Sequence, residues 1–332
     1  MHLSGTGAVA ELEEKIRRYY GKRYALAVSS GTMGLLAVGL AMGLKDEEVV
    51  VPAYNYGASL SSWLMLGNRP VFADISREDI GLDPSSVRRV VTPSTKAILA
   101  ADMFGIPSDT HALREIADEY GLYYVADAAQ SLGARRGGLP ASALADAIVV
   151  SFTAGKTLFA GEGGAVITDD RILYEKLVWF SQHPDRQKRE LGLGLRNEFA
   201  VNGRINPLAA VWANATFEER LESLESHRRW CLEVIQVLNS TGLTEPADYC
   251  SDGIFPAFFR LTAAWKNKPR PGNLHRELEA RGLSVRIEPP PARVVYREAA
   301  FLAQYPYSCK PHCPVAEKQA RARFCLVKNT NP

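Results

Sequence analysis

The chain of 332 residues contains no apolar run approaching the roughly 20 residues that span a bilayer, and no basic segment followed by an apolar one opens it. A cytosolic protein is therefore expected. A charge excess is also missing: 39 basic residues against 37 acidic ones leave a formal charge of +2, too weak a field to recruit nucleic acid or an anionic membrane unaided. Small-molecule partners are expected instead. The five cysteines include no CxxC pair, which suits reduced thiols better than a disulfide framework. Cys309, His312 and Cys313 lie close together, but zinc would need a fourth ligand and usually a second close pair, so no metal is assigned. There is no internal repeat and no low-complexity tract, and Pro289-Pro290-Pro291 reads as a stiff loop.

What is present is ordinary for a globular protein: 46% hydrophobic and 23% charged residues exclude a disordered or fibrous chain. The length suits a large folding unit, residues 1–205, and a smaller one, 206–332. Short apolar runs at 24–28, 48–51, 70–73, 97–100, 123–126, 147–150 and 163–168 read as buried strands. Between them, amphipathic stretches at 9–20, 33–42 and 111–120 are long enough for crossover helices, so the first part is α/β with a mainly parallel sheet of seven strands. A helix begins at 169–179, and a polar stretch at 181–202 interrupts the pattern. A long helix over 208–238, with Pro207 near its start, bridges to a smaller α+β unit. That unit carries a strand at 254–261, a helix at 273–281 and then proline-rich loops.

Ligands of open α/β sheets bind beyond the carboxyl ends of the strands, so the loops after these runs are where chemistry is sought. Ser29-Ser30-Gly31-Thr32 opens a helix whose free N–H groups suit a phosphate; simple helix capping is the alternative. Asp127-Ala128-Ala129-Gln130 puts a carboxylate at a buried strand end, where it needs a cationic partner such as a pyridinium nitrogen, unless it too is only a cap. In Ser151-Phe152-Thr153-Ala154-Gly155-Lys156 the lysine is set among apolar neighbours. Desolvation there would lower its pKa and make the amine a nucleophile for a Schiff base, although loop lysines are commonly solvated. Tyr54 and Tyr56 in Pro52-Ala53-Tyr54-Asn55-Tyr56-Gly57 offer a ring to stack on a flat heteroaromatic, or simply core packing. A phosphate cradle, a stacking ring, an anion for a ring nitrogen and an amine are together what pyridoxal 5'-phosphate requires.

In their order and spacing, from about Thr6 to Ala322, these motifs resemble the DegT/DnrJ/EryC1/StrS family of sugar aminotransferases, pyridoxal-phosphate enzymes of fold type I. The resemblance implies that Ser30, Gly31 and Thr32 hold the phosphate, with Ser151 assisting, and that Tyr56 stacks on the ring. It implies that Asp127 pairs with the pyridinium, Gln130 hydrogen-bonds the phenolic oxygen and Lys156, ahead of Gly161-Glu162-Gly163-Gly164, carries the cofactor. Family members are homodimers with shared active sites that borrow an asparagine from the neighbour. Val201-Asn202-Gly203-Arg204 resembles that segment, with Gly203 replacing an aromatic, which makes Asn202 the candidate phosphate contact. Cys313-Pro314-Val315-Ala316-Glu317 is similar to a signature near the substrate pocket. Relative to the family pattern, the terminal elements that cover the site are expected to be short.

The implied reaction moves an amino group from glutamate or glutamine to a nucleotide-linked keto-sugar or a keto-cyclitol, with Lys156 shuttling the proton. A sister branch that deoxygenates sugars has histidine at the lysine position, so Lys156 argues against it. Other readings of the same motifs are a lyase, an aminotransferase for a non-sugar ketone, and a non-catalytic homologue.

Overall fold

The computed structural model describes residues 5–192, 196–251, 253–305 and 311–329. Helix α1 (Ala8–Tyr20) buries Val9, Leu12, Ile16 and Tyr20, a stripe at helical spacing, and stops at Gly21, whose φ of 64° lets its N–H and the next one close on Arg18 and Arg17. Helix α2 (Gly31–Met42) has no polar face, because it is enclosed between the sheet and helices α3 (Gly57–Met65) and α6 (Arg171–Ser181). A Cβ at Gly34 would lie 2.8 Å from Val149 Cγ1, so glycine sets how closely α2 approaches the sheet.

Seven strands form the main sheet: β1 (Tyr24–Val28), β2 (Glu48–Pro52), β3 (Arg69–Ala73), β4 (Thr95–Ala101), β5 (Tyr123–Asp127), β6 (Ala147–Ser151) and β7 (Gly164–Thr168). Their order is β1-β7-β6-β5-β4-β2-β3. Only β7 runs against its two neighbours; the other pairings are parallel. The strands of β6 and β7 are buried at every residue, as expected where helices cover both faces: Val149 belongs to one apolar cluster, and Ile148 and Val150 to the other. Because β1, β2, β5 and β6 point the same way, the four loops singled out above emerge at one edge of the sheet.

Helices α4 (Pro84–Val90) and α5 (Thr110–Tyr120) complete the crossovers. The polar stretch at 181–202 is not a plain interruption: it contains α7 (Pro184–Leu191), whose polar residues face inward. Arg186 donates to both carboxylate oxygens of buried Glu13 at 2.8 and 3.0 Å, and Gln187 bonds the carbonyls of Trp179, Gln182 and Asn197. Hydrophobic periodicity cannot reveal a helix whose buried side is charged. Arg186→Ala strands Glu13 without its partner and is expected to lower stability by about 3–5 kcal/mol, read from urea unfolding.

Helix α8 (Pro207–Thr241) touches α1 near its start and α9 (Pro271–Glu279) further along. The single strand expected at 254–261 is broken in two. Ile254–Phe255 pairs with Arg135–Arg136, Pro256 interrupts, and Phe258 adopts a φ of 47° where the chain packs against Gly105. A Cβ at Gly105 would lie 2.9 Å from Phe258 N, so the turn is set by a contact remote in sequence.

The loops expected after 281 also hold regular structure. Strands β8 (Leu261–Ala264), β9 (Val285–Glu288) and β10 (Arg323–Lys328) form an antiparallel sheet with β10 in the middle, accompanied by α10 (Ala299–Gln304) and α11 (Pro314–Ala322). Buried Asp74, just after β3, accepts from the first amides of α11, Val315 N at 2.9 Å and Ala316 N at 2.7 Å, fastening this sheet's helix to the main sheet. The prolines that suggested loops include Pro314 in the first turn of α11, where a missing N–H is harmless.

Candidate active site

The loops after β1, β2, β5 and β6 converge on a cavity of about 340 Å³, within the range of small-molecule sites. It is lined by Ser30, Gly31, Thr32, Tyr56, Asp127, Gln130, Ser151 and Lys156, so eight of the nine residues expected to hold the cofactor share one space. Ser30 caps α2, its Oγ accepting from Met33 N at 3.0 Å; capping and placement of the helix N-terminus at the cavity are thus one arrangement. The approach is close: a Cβ at Gly31 would lie 3.2 Å from Ser151 Cβ, and one at Gly164 would lie 2.8 Å from Gly31 N. Small residues therefore let the N-terminus of α2, the positive end of its dipole, pack closely on β6 and β7 with Ser30, Gly31 and Thr32 at the cavity wall.

Asp127 ends β5 and turns its Oδ1 to Ala129 N at 3.0 Å. Among the described residues no basic side chain forms an ion pair with it. A carboxylate at a strand end, with one oxygen spent on its own turn and no cation paired to it, is suited to a cationic ring nitrogen. Gln130, which lines the cavity, accepts through Oε1 from Phe104 N at 2.8 Å and turns its amide nitrogen to Met103 Sδ at 3.9 Å, a weak acceptor that leaves most of the nitrogen's donor capacity unspent. Ser151 Oγ lies 3.2 Å from Thr153 Oγ1. Tyr56, half exposed at the start of α3, presents its ring at the rim.

Lys156 follows a turn in which its N–H meets Thr153 O at 3.2 Å and Gly155 takes a φ of 80°. Burial pushes its amine below the usual lysine range; nearby Asp127 opposes the shift and Arg260 adds to it. The ammonium lies 4.1 Å from the centre of the Phe259 ring. Phe259 was hidden in the sequence because it sits in the segment read as a continuous strand; Pro256 within that run was the available signal. Pro291, from the triple-proline loop, also lines the cavity.

Asn202 is the expected site residue that the single chain does not bring here. It lines a second cavity with Arg186, Arg204 and Leu208. The segment 313–317 lies at the start of α11 and does not line the Lys156 cavity; Cys313 is buried with its thiol toward Phe72 O. Cys309 lies outside the described residues.

Pyridoxal phosphate matches this set: a helix N-terminus with two hydroxyl residues for a phosphate, a side-chain amide, a carboxylate and an amine in one cavity. The mostly parallel seven-stranded sheet with its site at the strand ends is the fold type I architecture of pyridoxal-phosphate enzymes. The chain belongs to the DegT/DnrJ/EryC1/StrS aminotransferase family, whose model matches residues 3–327. It is 31% identical over 241 residues to UDP-2-acetamido-2-deoxy-3-oxo-D-glucuronate aminotransferase of Pseudomonas aeruginosa, covering 72% of this chain and 66% of that protein. It is 38% identical over 220 residues to dTDP-3-amino-3,4,6-trideoxy-alpha-D-glucose transaminase of Streptomyces venezuelae, covering 64% and 55%. These alignments thus span between about half and two thirds of the curated relatives. Among solved structures, the E. coli GDP-4-keto-6-deoxy-D-mannose-3-dehydratase with bound hydrated PLP superposes with a TM-score of 0.81 at 19% identity, over 97% of this chain and 88% of that one, a likeness of fold alone.

Proposed function

We propose that the chain is a pyridoxal-phosphate-dependent aminotransferase, moving an amino group from glutamate or glutamine to a nucleotide-linked keto-sugar or a keto-cyclitol in amino-sugar biosynthesis. The observation that carries this reading is the meeting of Lys156 and Asp127 in one cavity with the N-terminus of α2. The two curated relatives named above, both aminotransferases of nucleotide-linked sugars, support the acceptor class. The similarity in fold to a dehydratase does not separate the two chemistries; Lys156, an amine where the deoxygenating branch has histidine, favours amino transfer.

Bound in the cavity, pyridoxal phosphate supplies a reactive carbonyl carbon and an electron-withdrawing ring. Ser30, Gly31, Thr32 and Ser151 anchor the phosphate, Tyr56 covers the ring, and Gln130 donates from its amide nitrogen to the phenolic oxygen. Asp127 holds the proton on the ring nitrogen. Lys156 Nζ, its affinity for a proton lowered by burial, would hold the cofactor and pass a proton at the reacting carbon. The purified protein is expected to show a visible cofactor band that shifts when glutamate or glutamine is added and returns with a nucleotide-linked keto-sugar. A band that no amino donor moves overturns the reading.

The same reading makes the working unit a cytosolic homodimer. Leu208, Val211 and Trp212, one stripe on the first turns of α8, are exposed beside the cavity that holds Asn202, which suits a second copy reached by that asparagine. Trp212→Glu is expected to convert the dimer to monomer in sedimentation and to weaken cofactor binding by about tenfold or more, as loss of a charge-assisted phosphate contact would. Residues 1–205 would hold the cofactor and residues 206–332, with their own three-stranded sheet, would close on it.

A further inference from the structure

Two cations share one aromatic ring at the cavity. Lys156 Nζ lies 4.1 Å from the centre of Phe259, and the Arg260 guanidinium carbon lies 5.7 Å from the same point. The two are therefore separated by no more than those distances together. Arg260 is tied to Glu288 by a single contact of 3.3 Å, with both side chains about one-third exposed. Glu288 divides itself: its other oxygen lies 3.5 Å from Arg286. On the next stretch of chain Arg293, among the described residues, bonds the backbone carbonyls of Pro290 and Ala292. One carboxylate thus serves two arginines, and the hold on Arg260 is loose, long and partly solvated, whereas a strong arginine–carboxylate pair is short and two-pronged.

We propose that Arg260 receives the α-carboxylate of the amino donor, exchanging Glu288 for it, while Phe259 keeps the guanidinium beside the reacting centre. The assignment rests on the aminotransferase reading and deepens it. In any α-amino acid the carboxylate is two bonds from the amine, so once the amine reaches the Lys156 position its carboxylate needs a cation a few ångströms away. Arg260 shares the Phe259 ring with Lys156 from just outside the cavity lining, so it is the cation that a shift away from Glu288 would bring to that carboxylate. The phosphates of a nucleotide-linked sugar are separated from the reacting carbon by at least part of a sugar ring, so they are the competing anion that the test must separate from a carboxylate. The cation–π contact with Phe259 and the bond to Glu288 favour one side of the ring for Arg260, which reduces the ordering penalty when the carboxylate arrives.

The test uses glutarate, a dicarboxylate with no amine to react, titrated calorimetrically into the cofactor-loaded protein, with inorganic pyrophosphate as the phosphate probe. Arg260→Gln is expected to weaken glutarate binding by about tenfold or more, the usual effect of losing a hydrogen bond between charged groups, and to leave pyrophosphate binding unchanged. Glu288→Gln removes the competitor and is expected to tighten glutarate, a change of opposite sign that a merely structural pair would not give. Arg260→Lys, which keeps the charge but loses the two-pronged geometry, should fall between. No measurable glutarate binding to the unmodified protein, equal affinity in Arg260→Gln, weakening in Glu288→Gln, or a loss confined to pyrophosphate each overturns the assignment. The visible cofactor band, recorded on the same samples, separates the two levels: its absence in the unmodified protein sinks the aminotransferase reading and Arg260 with it, whereas an intact band with unchanged glutarate affinity sinks Arg260 alone.

Discussion

Lys156→Ala is expected to abolish the visible cofactor band and to lower amino transfer by about 10³-fold or more, because one amine serves both as the group that holds the cofactor and as the proton carrier. Burial favours the neutral form of Lys156, so at neutral pH a larger share of its amine is ready to react than on a surface lysine. Borohydride treatment followed by mass spectrometry should place the reduced cofactor on the peptide containing Lys156 in the unmodified protein and nowhere in the variant. Retained labelling of another lysine would sink the assignment. The fold should survive the change, since the turn before Lys156 is held by a backbone bond to Thr153 O and by Gly155 rather than by the amine.

Asp127→Asn should separate binding from turnover. Its Oδ1 remains able to accept from Ala129 N, so the loop after β5 and its neighbour Gln130 keep their places. What disappears is a negative charge against a cationic ring nitrogen, and a charge pair at about 4 Å in a medium of effective dielectric 20 amounts to about 4 kcal/mol. Transition-state stabilisation of that size corresponds to about 10³-fold in rate. The expected pattern is a kcat lower by about that factor, a KM changed much less, and a cofactor that still binds but with an altered absorbance. Equal activity in the variant would show that Asp127 serves only its turn.

The motifs that matter most were readable because they are local. A small-residue turn after a strand, a carboxylate at a strand end and a lysine among Gly, Ala and Phe each carry their chemistry within six residues. All three lie in the Lys156 cavity with Tyr56 and Gln130. The seven strands were likewise readable from short apolar runs, with boundaries displaced by two residues or fewer, since a strand buried on both faces must be apolar throughout. Helix α7 was not, because its inward residues are the polar Arg186 and Gln187, and Glu13, the carboxylate that lets Arg186 be buried, is remote in the chain. The break between Phe255 and Leu261 was missed for a related reason: Pro256 hinted at it, but the turn at Phe258 is imposed by close packing against Gly105.

Local order along the chain was enough to specify an α/β sheet, the four loops at its edge and the residue types that suit pyridoxal phosphate, because strand periodicity, helix capping and turn chemistry act over a few residues. It could not specify which cations stand around the amine. Phe259 and Arg260 reach Lys156 from a segment more than a hundred positions away, through a bend set by Gly105 and a sheet clasped by Asp74, and Asn202 occupies a cavity of its own in the single chain. Such neighbours are chosen by packing between elements, where distance in the chain carries no information about distance in space.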